Sequence, residues 1–513
     1  MTTLVRGTSD TLTRDALAVL QPGFAGTTAP DWLLRRIGEG LVSVGLFGRN
    51  IATPAQLTAL TTRLRAERDD ALVAIDEEGG DVTRLEVRSG SSFPGNLALG
   101  TVDDTALTRA VARELGGRLA ACGVDFNWAP SADVNSDPDN PVIGVRSFGA
   151  DPELVARHTV AYVEGLQAAG VAACTKHFPG HGDTNVDSHL AMPRVPADPD
   201  TLHARELVPF RAAIAAGSKA VMSAHILLPA LDPDRPATLS HRILTGLLRE
   251  ELGHQGLIVT DGMEMRAIAS TYGIEHGSVL AVAAGADVIC VGGGLTDEGI
   301  VLRLRDALVN AVRTGELPEE RLADAASRVR ELASWTRAHR ARGTAAEPGA
   351  PAGAGTFPAG PAGGGAPGAG VGLEAARRAV RVTGRRDPLT GPAYVAAFTP
   401  VANIAVGDET PWGVGPELAR LLPGTTTGTY TAGDPVDAVL RDAGGRPVVA
   451  VVRDAHRHAW MAEALDRLLA ARPGTVVVEM GLGQAPPKGS PHIATYGAAR
   501  VCGQAAAEVI AGV

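Results

Sequence analysis

The feature that most constrains this chain is a repeated alternation of short apolar runs with longer amphipathic segments. The runs are Val44–Phe47, Leu72–Ile75, Val124–Ala129, Val171–Thr175, Ala220–Ser223, Leu257–Thr260 and Asp287–Val291. Between them lie helical patterns such as Thr53–Arg68, Thr105–Ala121, Pro152–Ala169, Leu239–Leu252 and Thr296–Thr314. Strand–helix alternation predicts parallel strands joined by crossover helices. Seven strands are visible, and an eighth would close a TIM-like (β/α)8 barrel. No apolar run marks that eighth strand, so closure is an expectation. Glu319–His339 reads as a final helix on the outside.

Only a long chain can hold such a unit, and this one has 513 residues. The clearest boundary is residues 343–370, where all but four of 28 residues are Gly, Ala or Pro. Such a segment cannot bury enough apolar surface to fold and reads as a linker. The expected domains are therefore a barrel at 1–342, a linker at 343–370 and a smaller α/β sandwich-like domain at 371–513. In the last, Tyr394–Phe398, Pro447–Val452 and Thr475–Glu479 read as strands, and His456–Ala471 and Tyr496–Ile510 as helices. Gly481-Leu-Gly-Gln is too short for a dinucleotide fingerprint.

Composition narrows the function. A net charge of −10 argues against a dedicated nucleic-acid binder. Cys122, Cys174, Cys290 and Cys502 are scattered, so they read as reduced core thiols, Cys174 included. No secretory signal and no run of about 18 apolar residues is visible, which predicts a cytoplasmic protein without a membrane partner. Oligomeric state leaves no signal.

Charged residues follow the C-terminal ends of four predicted strands: Asp76, Lys176 with His177, His225, and Asp261. Strands buried on both faces are apolar throughout, and the C-terminal rim is where such barrels build active sites. The densest segment is Lys176-His-Phe-Pro-Gly-His-Gly-Asp-Thr-Asn-Val-Asp-Ser-His189, a loop carrying three histidines and two aspartates. A histidine oriented by a nearby carboxylate can protonate a leaving oxygen, and Asp187 and His189 are close enough in sequence to meet. The same histidines could simply brace the loop, or hold a metal through His177, His181, Asp183 or His189, although no paired ligand motif supports a metal. Asp261, in Leu257-Ile-Val-Thr-Asp-Gly-Met-Glu-Met265, could be a nucleophile or cap the next helix. Glu264 is the rival carboxylate. Asp76, Arg146 and Lys176 could hold sugar hydroxyls or form structural ion pairs. Trp128 could be a sugar platform or a core aromatic.

These motifs resemble glycoside hydrolase family 3, and within it the β-N-acetylglucosaminidases (β-N-acetylhexosaminidases). The Lys176–His189 segment resembles their signature loop, and Ile75-Asp-Glu-Glu-Gly-Gly80 is similar to their sugar-binding turn. Asn140-Pro-Val-Ile-Gly-Val-Arg-Ser-Phe-Gly149 is similar to their arginine loop, and the segment around Asp261 to their nucleophile strand. Gly262 stands where relatives often carry a larger residue. The likeness covers about residues 20–340 and is highly specific; Ile493–Gly503 resembles, less specifically, a second domain of some members.

The resemblance implies a retaining mechanism without metal or cofactor. It makes Asp261 the nucleophile and His189, oriented by Asp187, the acid/base. It gives Asp76, Arg146, Lys176 and His177 the task of holding N-acetylglucosamine. The implied substrates are small chitin- or peptidoglycan-derived oligosaccharides, muropeptide fragments among them. A phosphorylase of the same family is the alternative, since a neutral acid/base does not repel phosphate. A catalytically silent sugar-binding protein is a more distant one.

Overall fold

The structure is a computed structural model and describes residues 2–184, 186, 192–345, 370–385, 387–400 and 409–513. The described residues fall into two compact units. The first draws on Met1–Glu77, Ala112–Val134 and Asp151–Ala359, the second on Glu78–Val111, Asn135–Ala150 and Gly360–Val513.

The first unit holds eight parallel strands: β1 (Leu20–Pro22), β2 (Ser43–Leu46), β3 (Leu72–Ile75), β4 (Phe126–Asn127), β5 (Ala172–Phe178), β6 (Ala220–Ser223), β7 (Leu257–Thr260) and β8 (Ile289–Val291). β2 to β7 form one sheet in chain order. β8 pairs with β1 in a second sheet, and a bridge between Val259 and Val288 links β8 to β7. The arrangement is thus a curled six-stranded sheet plus a pair, rather than one continuous eight-stranded ladder. The strand missing from the sequence pattern is β1: three residues, Leu-Gln-Pro, are too few and too polar to register as an apolar run. Gln21 of β1 donates to Ser43 Oγ of β2 at 2.6 Å and accepts from Trp128 Nε1 at 3.2 Å. Trp128, 4% exposed, is therefore a core aromatic; a Cβ on Gly45 would meet its ring at 2.8 Å.

Every residue of β2, β3, β6 and β7 is buried, which explains their apolar composition without alternation. The crossover helices form where predicted, because their first turns are capped. The Asp151 carboxylate accepts from the Leu154 N–H at 2.7 Å with Pro152 next in line, and Asp297 does the same for Ile300 at 3.1 Å. The segment Arg242–Glu251 is wound wider than an α-helix. No helix among the described residues is long and apolar enough to cross a membrane.

The second unit is built on a six-stranded sheet of β9 (Arg381–Thr383), β10 (Tyr394–Phe398), β11 (Thr426–Tyr430), β12 (Val448–Val452), β13 (Val476–Glu479) and β14 (His492–Ala494). Their order is β11-β10-β12-β13-β14-β9, with only β9 antiparallel to its neighbour. Both faces are covered. Val395, Val449 and Val478 pack with Cys502 and Ala506 of helix Arg500–Ala511, and Ala396, Ala450 and Val477 with Met461 and Leu465 of helix Ala459–Ala471. This is the predicted α/β sandwich.

Two stretches from inside the predicted barrel region, Glu78–Val111 and Asn135–Ala150, belong to this unit. Side-chain bonds hold the first of them there. Asp81 accepts from the Ala498 N–H at 2.7 Å and pairs with Arg453; Arg500 donates to Ser92 Oγ at 2.8 Å; Arg378 pairs with Asp104 at 2.9 Å. This division cuts through the helix Thr105–Ala121, so no break in the sequence pattern marks it.

Candidate active site

Strand ends position the site. β5 and β6 pair in register from Cys174–Ala220 to Thr175–Val221, but Phe178 then faces Ser223. One extra residue is thus accommodated at Lys176–His177, a β-bulge of the kind that redirects side chains beside functional sites. Lys176 is 2% exposed, and its Nζ donates to Asp76 Oδ1, just past β3, at 2.5 Å. The His177 ring bonds through Nδ1 to Asp133 Oδ2 at 2.7 Å. The sequence-predicted Asp76, Lys176 and His177 therefore belong to one polar cluster, to which the structure adds Asp133.

Asp133 was not legible as a site residue. It is fully buried, in the segment that follows β4. Burial pushes its carboxyl up, but the charge and hydrogen bond of His177, with the His181 N–H, outweigh that and hold it well below the usual carboxylate range. His181 faces the other way in protonation: burial, then the charge of His177, pulls its ring down to about 4. Its Nδ1 bonds Thr184 Oγ1 at 2.7 Å. His181 is thus a neutral brace, the role left open for the loop histidines.

Asp261 follows β7 directly. The next helix begins at Arg266, with Met265 at its cap position, so Asp261 is not its cap. Its Oδ1 accepts from the Gly262 N–H at 2.8 Å. His225, buried past β6, bonds Thr238 Oγ1 through Nδ1 at 2.8 Å and the Gly262 carbonyl through Nε2 at 3.0 Å, which fixes the turn that carries Asp261. Gly262 has little room, since a Cβ there would meet Glu264 Oε2 at 3.3 Å. Glu264 is occupied elsewhere. Its Oε1 accepts the N–H groups of Gly292, at 2.8 Å, and of Gly293, in the turn after β8.

The thiols of Cys174 on β5 and Cys290 on β8 report the field of the site. Both are raised, first by burial, and both are also raised by the negative charges of Asp261 and Asp76. The two carboxylates therefore lie within electrostatic reach of the same buried strands. All four cysteines are free and buried, as expected of core thiols.

Glu206 sits behind the histidine loop. Burial pushes its carboxyl up to about 7, against the pull of Arg205. Arg205 bridges Glu206 at 2.6 Å and Asp183 at 2.5 Å. Gly180, at φ 126°, is required here because a Cβ would meet Glu206 Oε2 at 2.7 Å. Asp187 and His189 lie outside the described residues.

Arg146 belongs to the second unit. Its guanidinium forms a two-pronged pair with Glu78, Nε to Oε2 at 3.0 Å and a terminal nitrogen to Oε1 at 2.7 Å, both side chains buried. A bidentate geometry fixes the plane of the guanidinium. Among the described residues no three His, Cys, Asp or Glu side chains converge to hold a metal ion.

The model of the glycosyl hydrolase family 3 N terminal domain matches residues 35–332. The chain belongs to glycosyl hydrolase family 3. The β-hexosaminidase A of Pseudoalteromonas piscicida is 37% identical over 334 residues, covering 60% of this chain and 56% of that protein. The chain thus spans just over half the length of that relative. The β-hexosaminidase of Stenotrophomonas maltophilia (strain R551-3) is 39% identical over 281 residues, 52% of this chain and 82% of that protein. A solved family 3 β-N-acetylglucosaminidase from Paenibacillus sp. str. FPU-7 superimposes with a TM-score of 0.83 at 33% identity, covering 98% of this chain and 96% of that one. The likeness to that structure therefore covers both units.

Proposed function

We propose that this chain is a retaining exo-β-N-acetylglucosaminidase that removes terminal β-linked N-acetylglucosamine from small chitin- or peptidoglycan-derived oligosaccharides. The observation that carries the reading is the company of Asp261. A carboxylate at the end of β7 shares its strand-end rim with the Lys176–Asp76 pair and the His177–Asp133 pair. The names of the relatives supply the sugar.

In the first step an Asp261 carboxylate oxygen attacks the anomeric carbon. The glycosidic bond breaks, and the leaving oxygen takes a proton from His189, which Asp187 orients. In the second, His189 takes a proton from water, whose oxygen attacks the anomeric carbon and releases Asp261. Asp76 accepts from sugar hydroxyls, while Lys176, His177 and Arg146 hold the remaining hydroxyls and the acetamido group. The roles of Asp187 and His189 rest on the sequence motif.

The test is product analysis on 4-nitrophenyl N-acetyl-β-glucosaminide and on a muropeptide digest. Free N-acetylglucosamine, released first as the β-anomer, is expected. Release of the α-anomer would overturn the retaining mechanism, and cleavage of the glucoside in preference to the N-acetylglucosaminide would overturn the substrate class.

A further inference from the structure

We propose that Asp133 is a positioning residue that fixes the tautomer of His177 and pins the root of the histidine loop. This rests on the reading of the site as a glycosidase centre. Asp133 Oδ2 receives Ser131 Oγ at 2.9 Å and His177 Nδ1 at 2.7 Å. Its Oδ1 receives the backbone N–H of His181 at 2.7 Å and, more weakly, that of His177 at 3.3 Å. One fully buried carboxylate thus grips both ends of the Lys176–His181 turn.

The segment carrying Asp133 runs along the bulged strand. The Lys176 N–H donates to the Pro130 carbonyl at 3.0 Å, and the Ala132 N–H to the Lys176 carbonyl at 2.6 Å. These bonds set the carboxylate beside the bulge independently of its own hydrogen bonds.

An ionised carboxylate only accepts hydrogen bonds. His177 must then carry a proton on Nδ1. Whenever the ring is neutral, its Nε2 is then an acceptor; the other tautomer would carry an N–H there instead. Burial makes the constraint stringent, because a buried acceptor without its donor is costly. Outer partners that orient a histidine ligand in this way typically change affinity or activity by about 10–100-fold when altered.

Asp133→Asn discriminates. The amide oxygen can keep the backbone N–H of His181, while the amide nitrogen faces His177 Nδ1 and forces it to accept. In protein carrying 15N-histidine, with His177 assigned by loss of its signal in His177→Ala, the native ring is expected as the Nδ1–H form and the variant ring as Nε2–H. The variant should lose about 10–100-fold in kcat/KM on 4-nitrophenyl N-acetyl-β-glucosaminide. In a His177→Ala background the same change should cost less than about 3-fold, because the effect passes through the ring.

An unchanged tautomer overturns the proposal. So does an equal loss with and without His177, or a switched tautomer with unchanged kcat/KM. The nitrogen signals do not depend on catalysis, so an inactive native protein with the expected tautomer would remove the glycosidase reading and leave the contact standing. If Asp133→Asn does not fold, Ser131→Ala serves. It removes a competing donor from Oδ2 and should leave the His177 ring in the Nδ1–H form; a switch to the Nε2–H form overturns the proposal.

Discussion

Both units contain parallel strands that end in charged residues, yet the two sets of ends are used differently. In the second unit β13 ends at Glu479, and β12 is followed by Arg453 and Asp454. Glu479 accepts the N–H groups of Asp454 and Gly481, each at 2.8 Å, and of Ala455 at 3.3 Å. Asp454 accepts the Leu482 N–H at 2.7 Å, and Arg453 pairs with Asp81. A Cβ on Gly481 would collide with Asp454, so the glycine serves this turn. In the first unit the ends of β3 and β5 carry side chains paired with side chains, Lys176 with Asp76 and His177 with Asp133. A strand-end carboxylate that gathers several backbone N–H groups holds a turn closed; one placed among ionisable side chains is available for chemistry. The proposed function draws the same distinction between Asp261 and Glu264, whose Oε1 gathers the Gly292 and Gly293 N–H groups.

The largest expected effect tests that distinction directly. Asp261→Asn should lower kcat/KM by at least about 1,000-fold, roughly 4 kcal/mol of transition-state stabilisation, with little change in Tm. Glu264→Gln should do the reverse, costing about 1–3 kcal/mol of stability through its lost charge-assisted bonds and retaining most of kcat. Equal losses of activity in the two variants would erase the contrast. His189→Ala comes next. On substrates with poor leaving groups it should cost about 100-fold or more, and much less on a nitrophenyl glycoside, whose leaving group needs little protonation. Equal losses on both would remove His189 as the acid.

For the second unit, Arg453→Ala should leave the buried Asp81 carboxylate without its cation. Breaking a pair of this kind costs about 3 kcal/mol, which calorimetry would register as a lower Tm. If the second set of strand ends is purely structural, kcat at a temperature well below Tm stays within about 2-fold. A large fall in kcat without a fall in Tm would place those ends in the chemistry and break the comparison.

How much of this was legible follows from the range of the interactions. Seven of the eight first-unit strands announced themselves because burial on both faces makes an apolar run. β1 did not, being three residues ending in proline, and β11, Thr-Thr-Gly-Thr-Tyr, did not because its residues are mostly exposed at a sheet edge. Asp76, Lys176, His177 and Asp261 were visible because a charge immediately after an apolar run is a local signal. Asp133 and Glu206 were not. Asp133 meets His177 across 44 residues, and Glu206 lies within a helical pattern where a glutamate looks ordinary. A charge inside the apolar stretch Trp128–Val134 was the one hint of the former. Arg146 was visible as a motif, but its partner Glu78 is 68 residues away.

The smallest effect concerns pH and sets two buried groups behind the loop against each other. The Glu206 carboxyl, near 7 when folded, ionises more readily in the unfolded chain, where a glutamate titrates near 4.5. The folded state therefore binds the extra proton between these values, and stability falls as pH rises from about 4.5 to about 7. His181, near 4 when folded against 6.5 unfolded, acts oppositely: the unfolded chain binds the extra proton, so stability rises with pH from about 4 to about 6.5. Over pH 4.5 to 6.5 the two slopes offset. Glu206→Gln removes one of them. Relative to the native chain, the variant should gain stability with rising pH across that window, by on the order of 1 kcal/mol per pH unit. Denaturant unfolding at pH 4.5, 5.5 and 6.5 measures it. Parallel stability curves for the two proteins would mean that Glu206 is already ionised beneath Gly180 at the bottom of that window, shared with Asp183 across Arg205 rather than held neutral by burial.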